Sequence, residues 1–147
     1  MMTATKGSAI INSEAAGYDE WAGEIPGREQ GSMIAHENGR VTAYACEQAQ
    51  ERGSLFVGPN DYVYEGQVVG QNSRPDDLKI NVAKQKELTN FRAAGSDKHE
   101  GLTPKKDMSL DDCIEYIAND ELVELTPKEV RMLKNPKAEK KKKKDKK

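Results

Sequence analysis

Residues 72–95 read NSRPDDLKINVAKQKELTNFRAAG, with Arg74, Lys79, Lys84, Lys86 and Arg92 and only a few bulky apolar side chains. The stretch lies between segments that read as ordered strands and helix. Connections longer than about 12–15 residues without structure of their own are usually functional or disordered. The stretch therefore divides the fold and raises the functional question at once: what a long cationic connection would touch.

A chain of 147 residues has room for one domain, or one domain plus pieces. Its 35% hydrophobic and 33% charged residues suffice for a modest core. With one Trp and two Phe, that core must rest on Val, Ile, Leu, Tyr and Ala. No run approaches the roughly 18 apolar residues of a membrane span. The start, MMTATKGSAII, lacks the basic-then-apolar order of a signal peptide. These features predict a cytoplasmic protein with no membrane partner. Cys46 and Cys113 form no CxxC pair; two lone thiols fit a reducing compartment and a packing role.

Periodicity and punctuation predict short elements. Ala9–Ile11 reads as a strand entering a Gly- and Pro-rich connection. Met33 and Ile34 sit in a second strand, followed by an Asn38-Gly39 turn. Val41, Ala45, Cys46 and Ala49 recur at helical spacing, and Gly53 is placed to end that helix as a left-handed cap. Leu55–Val57, Tyr62–Tyr64 and Gln67–Val69 read as short strands split at Gly58-Pro59-Asn60. Beyond the polar stretch, Ser109 can cap a helix with Asp111 and Asp112 in its first turn and Leu110, Cys113, Ile114 and Ile117 on one face. The hairpin Glu121–Leu125, Thr126-Pro127-Lys128, Glu129–Leu133 closes the ordered part.

Charge is distributed unevenly. Residues 134–147 hold nine Lys, one Glu and one Asp, a net +7, so the other 133 residues carry −9. Such a tail, centred on Lys140, Lys141, Lys142, Lys143 and Lys144, buries no apolar surface and is expected to be disordered. It reads as a polyanion anchor or as a solubilising end. Catalytic patterns do not occur: there is no GxxxxGK[ST], GxSxG or HExxH, and no spaced Cys/His set. His36 and His99 read as surface residues without orienting partners. Asp19, Glu20 and Glu24 read as a solvated acidic face. Tyr62 and Tyr64 fit core packing at strand spacing, with base stacking as the competing use. Phe91, among polar neighbours, is open to either role.

Three runs carry a family resemblance: QERGSLFVGPNDYVYEGQVVGQNSRPDDLKIN, then KELTNFRAAGSD, then MSLDDCIEYIANDELVELTPKEVRM. In order and spacing they resemble the C-terminal domain of the TypA/BipA ribosome-associated translational GTPases, over roughly Gly31 to Leu133. The upstream TATKGSAIINSEAAGYDEWAGEIPGREQG resembles the end of the domain-V-like module that precedes it in the family. Departures are mild: Phe91 stands where the family often has Met, TPKKDMS lacks a second Pro, and Asn119 replaces an acid before Asp120-Glu121.

The resemblance implies an α+β fold: a β-rich domain with two short helices and a long polar loop, preceded by a remnant of a split α/β sandwich. The expected division is residues 1–30 for the module end, 31–133 for the C-terminal domain and 134–147 for the tail. The family's GTPase domain has no counterpart in these residues. The resemblance therefore implies no enzymatic activity in this chain, with GTP and Mg2+ belonging to domains outside it and those domains as a further partner if carried separately. It further implies docking near the peptidyl-transferase centre, on large-subunit rRNA and the acceptor end of A-site tRNA, and a role in translation or ribosome assembly under stress. The matching loop positions are Asn72, Ser73, Arg74, Asp77, Asn81, Lys84, Lys86, Thr89, Asn90 and Arg92. Arg can grip phosphate bidentately, Lys supplies a mobile charge, and Ser, Thr and Asn can bond 2′-hydroxyls and base edges. The competing reading is a free-standing small RNA-binding or chaperone-like protein that works through its Lys tail.

Overall fold

The computed structural model describes residues 5, 7–23, 27–85 and 102–138. Among these residues, eight strands and the helices α1 and α2 follow one another in an α+β arrangement. Strand β1 (Ser32–Ala35) lies inside a four-stranded sheet ordered β3-β5-β1-β6, formed with β3 (Gly53–Leu55), β5 (Val68–Asn72) and β6 (Leu78–Ile80). β5 pairs antiparallel with both β3 and β1, and β6 runs parallel to β1. Two further pairs flank the sheet: β2 (Gly39–Arg40) with β4 (Tyr62–Val63), and the hairpin of β7 (Glu121–Leu125) and β8 (Val130–Lys134).

Side chains alternate across a strand, so adjacent residues of β5 face opposite sides. Val69 joins a buried cluster with Met33, Val41, Cys46, Ala49, Leu55 and Val63. Val68 joins a second cluster with Cys113 and Met132, flanked by Phe56, Tyr116, Val123 and Val130. The sheet thus carries one small core on each face. Helix α1 (Ala43–Gln50) covers the first; helix α2 (Leu110–Tyr116) and the hairpin cover the second. Both cysteines are free and buried, one in each core, as packing residues.

Local chemistry accounts for the helices. The Thr42 hydroxyl oxygen accepts from Ala45 N (3.2 Å) and caps α1, while Ala45, Cys46 and Ala49 form its buried stripe. At α2 the Ser109 Oγ accepts from Asp112 N (3.2 Å) and Asp112 Oδ2 accepts from Ser109 N (3.0 Å), a reciprocal capping box. The buried side of α2 differs from the expectation. Cys113 is inside, with Tyr116 and Ile117 packed beside it, whereas Leu110 and Ile114 are exposed. The ring of Tyr116 meets Phe56 edge-on at 5.1 Å, and this aromatic contact sets the helix rotation.

Four other expectations are corrected. Ala9–Ile11 is no strand: residues 8–23 hold no helix or strand, and Ile10 and Ile11 are exposed. Without a pairing partner among the described residues, the segment has nothing to form a ladder with. The polar stretch is not all loop, because Leu78–Ile80 forms an edge strand on β1. Tyr62 is exposed, and the core position of β4 is Val63. Gly53 is no helix cap. The helix ends at Glu51 in right-handed geometry (φ −64°), and Gly53 opens β3. Its lack of a side chain serves strand approach, since a Cβ there would lie 1.9 Å from the Gln71 carbonyl oxygen. Gly53→Ala is therefore expected to destabilise the domain by about 2–3 kcal/mol, as overpacking against rigid backbone does. Urea unfolding checks this, and an unchanged midpoint would contradict it.

Candidate RNA interface

The expected contact residues begin where β5 ends. Asn72 is buried; its side-chain amide donates to Asp76 O (2.6 Å) and its backbone N to Gly31 O (2.9 Å). Asp77 Oδ1 accepts from Ser32 N (2.8 Å), and its other oxygen pairs with Lys134 Nζ at 2.6 Å. These two side chains fasten the turn between β5 and β6. Ser73 and Arg74 lie exposed on it, held through their backbones: Ser73 N donates to Arg52 O (2.9 Å) and Arg74 O accepts from Gly31 N (2.8 Å). Asn81 donates to Glu37 and accepts from Ala83 N. Lys84 is exposed, and its carbonyl accepts from the Thr42 hydroxyl (2.6 Å), which ties the departing chain to the start of α1. Lys86, Thr89, Asn90, Phe91 and Arg92 lie outside the described residues, as do Glu24, His99 and Lys140 to Lys144.

Beneath this surface lies an ionic cluster. The Glu121 side chain is fully enclosed. Arg28 grips it with two parallel bonds, NH1 to Oε2 and NH2 to Oε1, both 3.0 Å. Ser32 Oγ donates to Oε1 (2.6 Å), Ala118 N to Oε2 (3.0 Å), and Lys134 Nζ lies 2.9 Å from Oε1. Lys134 also pairs with Asp120 at 3.1 Å. The Arg28 guanidinium lies 4.2 Å from the centroid of the Tyr116 ring and donates to the Tyr116 carbonyl (3.0 Å). The Tyr116 hydroxyl is 3.2 Å from Ser32 Oγ.

Burial by itself would raise the Glu121 pKa. The bonds from Arg28, Ser32, Ala118 N and Lys134 outweigh it and bring the group down to about 2. For Lys134, burial works to lower the pKa, and its bonds to Asp77, Glu121 and Asp120 hold the ammonium above its ordinary range instead. Lys134 thus belongs to β8 and is buried.

Sequence reading missed the cluster. Arg28 stands 93 residues before Glu121, beyond the reach of any periodicity argument. The Glu121–Lys134 pair did have a signal. The hairpin register places the two directly opposite, so folding the chain about Pro127-Lys128 would have found them.

Among the described residues no group of His, Cys, Asp and Glu could hold a metal ion, and no helix is long and apolar enough to cross a membrane. The buried charged groups are paired with one another, and cations are exposed along one segment. Residues 30–139 match the TypA/BipA C-terminal domain, and the chain belongs to that family. It is 49% identical over 141 residues to the chloroplastic TypA-like protein SVR3 of Arabidopsis thaliana, covering 96% of this chain and 21% of that protein. It is 43% identical over 134 residues to the large ribosomal subunit assembly factor BipA of Haemophilus influenzae, and 41% identical over 130 residues to that of Synechocystis. These cover 90% and 88% of this chain, and 22% of each relative. The chain spans about a fifth of the length of these relatives.

The depressed pKa of Glu121 sets a pH dependence. Its folded value, about 2, lies below its ordinary 4.5. The stability it contributes is complete above pH 4.5 and is lost as pH falls toward 2. The shift corresponds to roughly 3 kcal/mol. Glu121→Gln is expected to be destabilised at neutral pH and to show a flatter stability profile between pH 4.5 and 2, measured by urea unfolding across that range. A variant with the parent's acid slope would assign that slope to other carboxylates.

Proposed function

We propose that this chain is a non-catalytic docking module for ribosomal RNA, acting in translation or in assembly of the large subunit. The observation that carries the proposal is the run of cations on and beside the β5–β6 segment. Arg74, Lys79 and Lys84 are exposed there, with Arg52 beside Ser73, on a chain whose first 133 residues are net acidic. A local cationic strip on an acidic body attracts phosphate at one place and repels it elsewhere. Family membership supports the reading, as do the names of the bacterial relatives, which are large-subunit assembly factors.

In finer terms, the module docks near the peptidyl-transferase centre. Ser73, Arg74, Lys84, Lys86, Thr89, Asn90 and Arg92 meet rRNA and the acceptor end of A-site tRNA. Asn72 and Asp77 hold the turn that presents them. Within this proposal the location is the cytoplasm. Residues 1–30 are the end of a domain-V-like module, and the lysines after residue 138 add affinity for any RNA without shape preference.

Sedimentation of the purified chain with large ribosomal subunits, against equal phosphate of naked rRNA, tests the reading. The expected result is preference for the subunit. Replacing Arg74, Lys84, Lys86 and Arg92 by Ala should remove the preference while leaving residual RNA binding. Equal retention by both targets, abolished by deleting residues 139–147, would make the tail the recognition element and overturn the proposal.

A further inference from the structure

Where α1 passes beside β6, the structure holds a groove of about 290 Å³. Its floor exists because α1 turns Ala45 and Ala49 toward β6, and such small side chains leave the space beside Leu78 and Ile80 unfilled. Among the described residues Arg52, Lys79 and Lys84 line it and no carboxylate does, with Lys79 at the β6 position that pairs with Ile34, on the face opposite Leu78 and Ile80. Its walls are fixed. Thr42 N donates to Val82 O (3.0 Å) and the Thr42 hydroxyl to Lys84 O (2.6 Å), so the end of the β6 segment is stapled to the start of α1. At the other end Ser73 N holds Arg52 O. Gln48 also lines the groove, and its amide nitrogen donates to the Tyr44 hydroxyl (2.8 Å).

We propose that this groove takes one unpaired nucleotide of an RNA strand, with a phosphate between Arg52 and Lys84 and the ribose or base on the apolar floor. The inference rests on the reading of the chain as an RNA-docking module and goes beyond it by naming a subsite and the form of RNA it accepts. Two cations flanking an anion supply charge-assisted bonds. An apolar floor between them suits a flat, partly apolar group, so an isolated inorganic ion would use only half the site. The volume fits a single nucleotide and excludes an A-form duplex, whose backbone could touch the cations only from outside. Unpaired nucleotides are also the form in which proteins reach base faces and edges of RNA.

The test uses the full chain and two fluorescent probes, an eight-nucleotide single strand of mixed sequence and a duplex with the same number of phosphates, read by anisotropy over a salt series. The single strand should bind at least tenfold more tightly than the duplex. The double variant Arg52→Ala, Lys84→Ala should lose about tenfold for the single strand. Its plot of log K against log salt should become shallower by about 1.4, two phosphate contacts at 0.7 each. The charge-keeping variant Arg52→Lys, Lys84→Arg should retain most of the affinity, which separates a binding role from a folding defect. A 4-thiouridine strand cross-linked by ultraviolet light should label peptides within 44–52 or 78–84. Labels confined to residues 139–147, duplex binding as tight as single-strand binding, or no loss in the double variant would each overturn the groove. If the double variant keeps single-strand affinity and still sediments with large subunits, only the groove fails. If the parent chain binds neither subunits nor RNA, the docking reading fails and the groove with it.

Discussion

The Glu121 carboxylate is enclosed in protein, and the groups that bond it come from four separated pieces of chain: Arg28 ahead of the sheet, Ser32 on β1, Ala118 after α2 and Lys134 at the end of β8. Taking a carboxylate out of water costs several kcal/mol, which attraction to partners offsets only where geometry is good and the remaining lone pairs are bonded. Both conditions hold here. Arg28 approaches as a planar fork, and a hydroxyl and a backbone amide take further positions on the two oxygens. Removing any one partner leaves charge behind in a dry place, so these contacts stand or fall together. A domain with two small cores and few aromatic residues has little else to join the hairpin to the sheet. That junction includes Val68 with Cys113 and Met132, the isolated bridge Gln67–Leu133, the bonds from Tyr64 hydroxyl to Glu124 (2.8 Å) and from Lys134 N to Gly66 O (2.9 Å), and this cluster.

The cluster also determines which charges face outward. Lys134 draws Asp77 inward by one oxygen while Ser32 N takes the other, and the chain between β5 and β6 is thereby folded into a tight turn. Arg74 is left on the outside of that turn, with Arg52 beside it and Lys79 and Lys84 further along. Buried Glu121 is thus matched by the largely buried Arg28 and Lys134, whereas Arg74 shares the exposed turn with Asp76. Polar residues in one stretch divide into those that hold the turn, Asn72 and Asp77, and those left exposed on it, Ser73 and Arg74.

Elements governed by neighbours in sequence were legible beforehand. The cap at Ser109, the hairpin around Thr126-Pro127-Lys128 and the buried stripe of α1 each depend on residues within one or two turns, and each stands where local chemistry puts it. What depended on distant contact was not. Gly53 reads locally as a helix stop, yet its role is set by the Gln71 carbonyl across the sheet. Leu78–Ile80 is too short and too charged to signal a strand, and parallel pairing with β1 makes it one. Lys134 sits beside a lysine-rich run, and composition assigned it there although its partners lie in β6's turn and in β7. Of the candidate interface, residue types were legible and roles were not. That Asn72 and Asp77 are held inside the turn while Arg74 and Lys84 are exposed depends on contacts distant in sequence.

The central claim is that Arg28 and Glu121 act as one unit that joins the chain's entry to the hairpin. A double-mutant cycle with Arg28→Ala, Glu121→Ala and the double variant, read by urea unfolding at neutral pH, measures it directly. Coupled burial predicts that the second substitution costs far less than it does alone, with an interaction energy of about 2–3 kcal/mol. Losses that add to within about 0.3–0.5 kcal/mol would mean that the two residues act independently and would contradict the account.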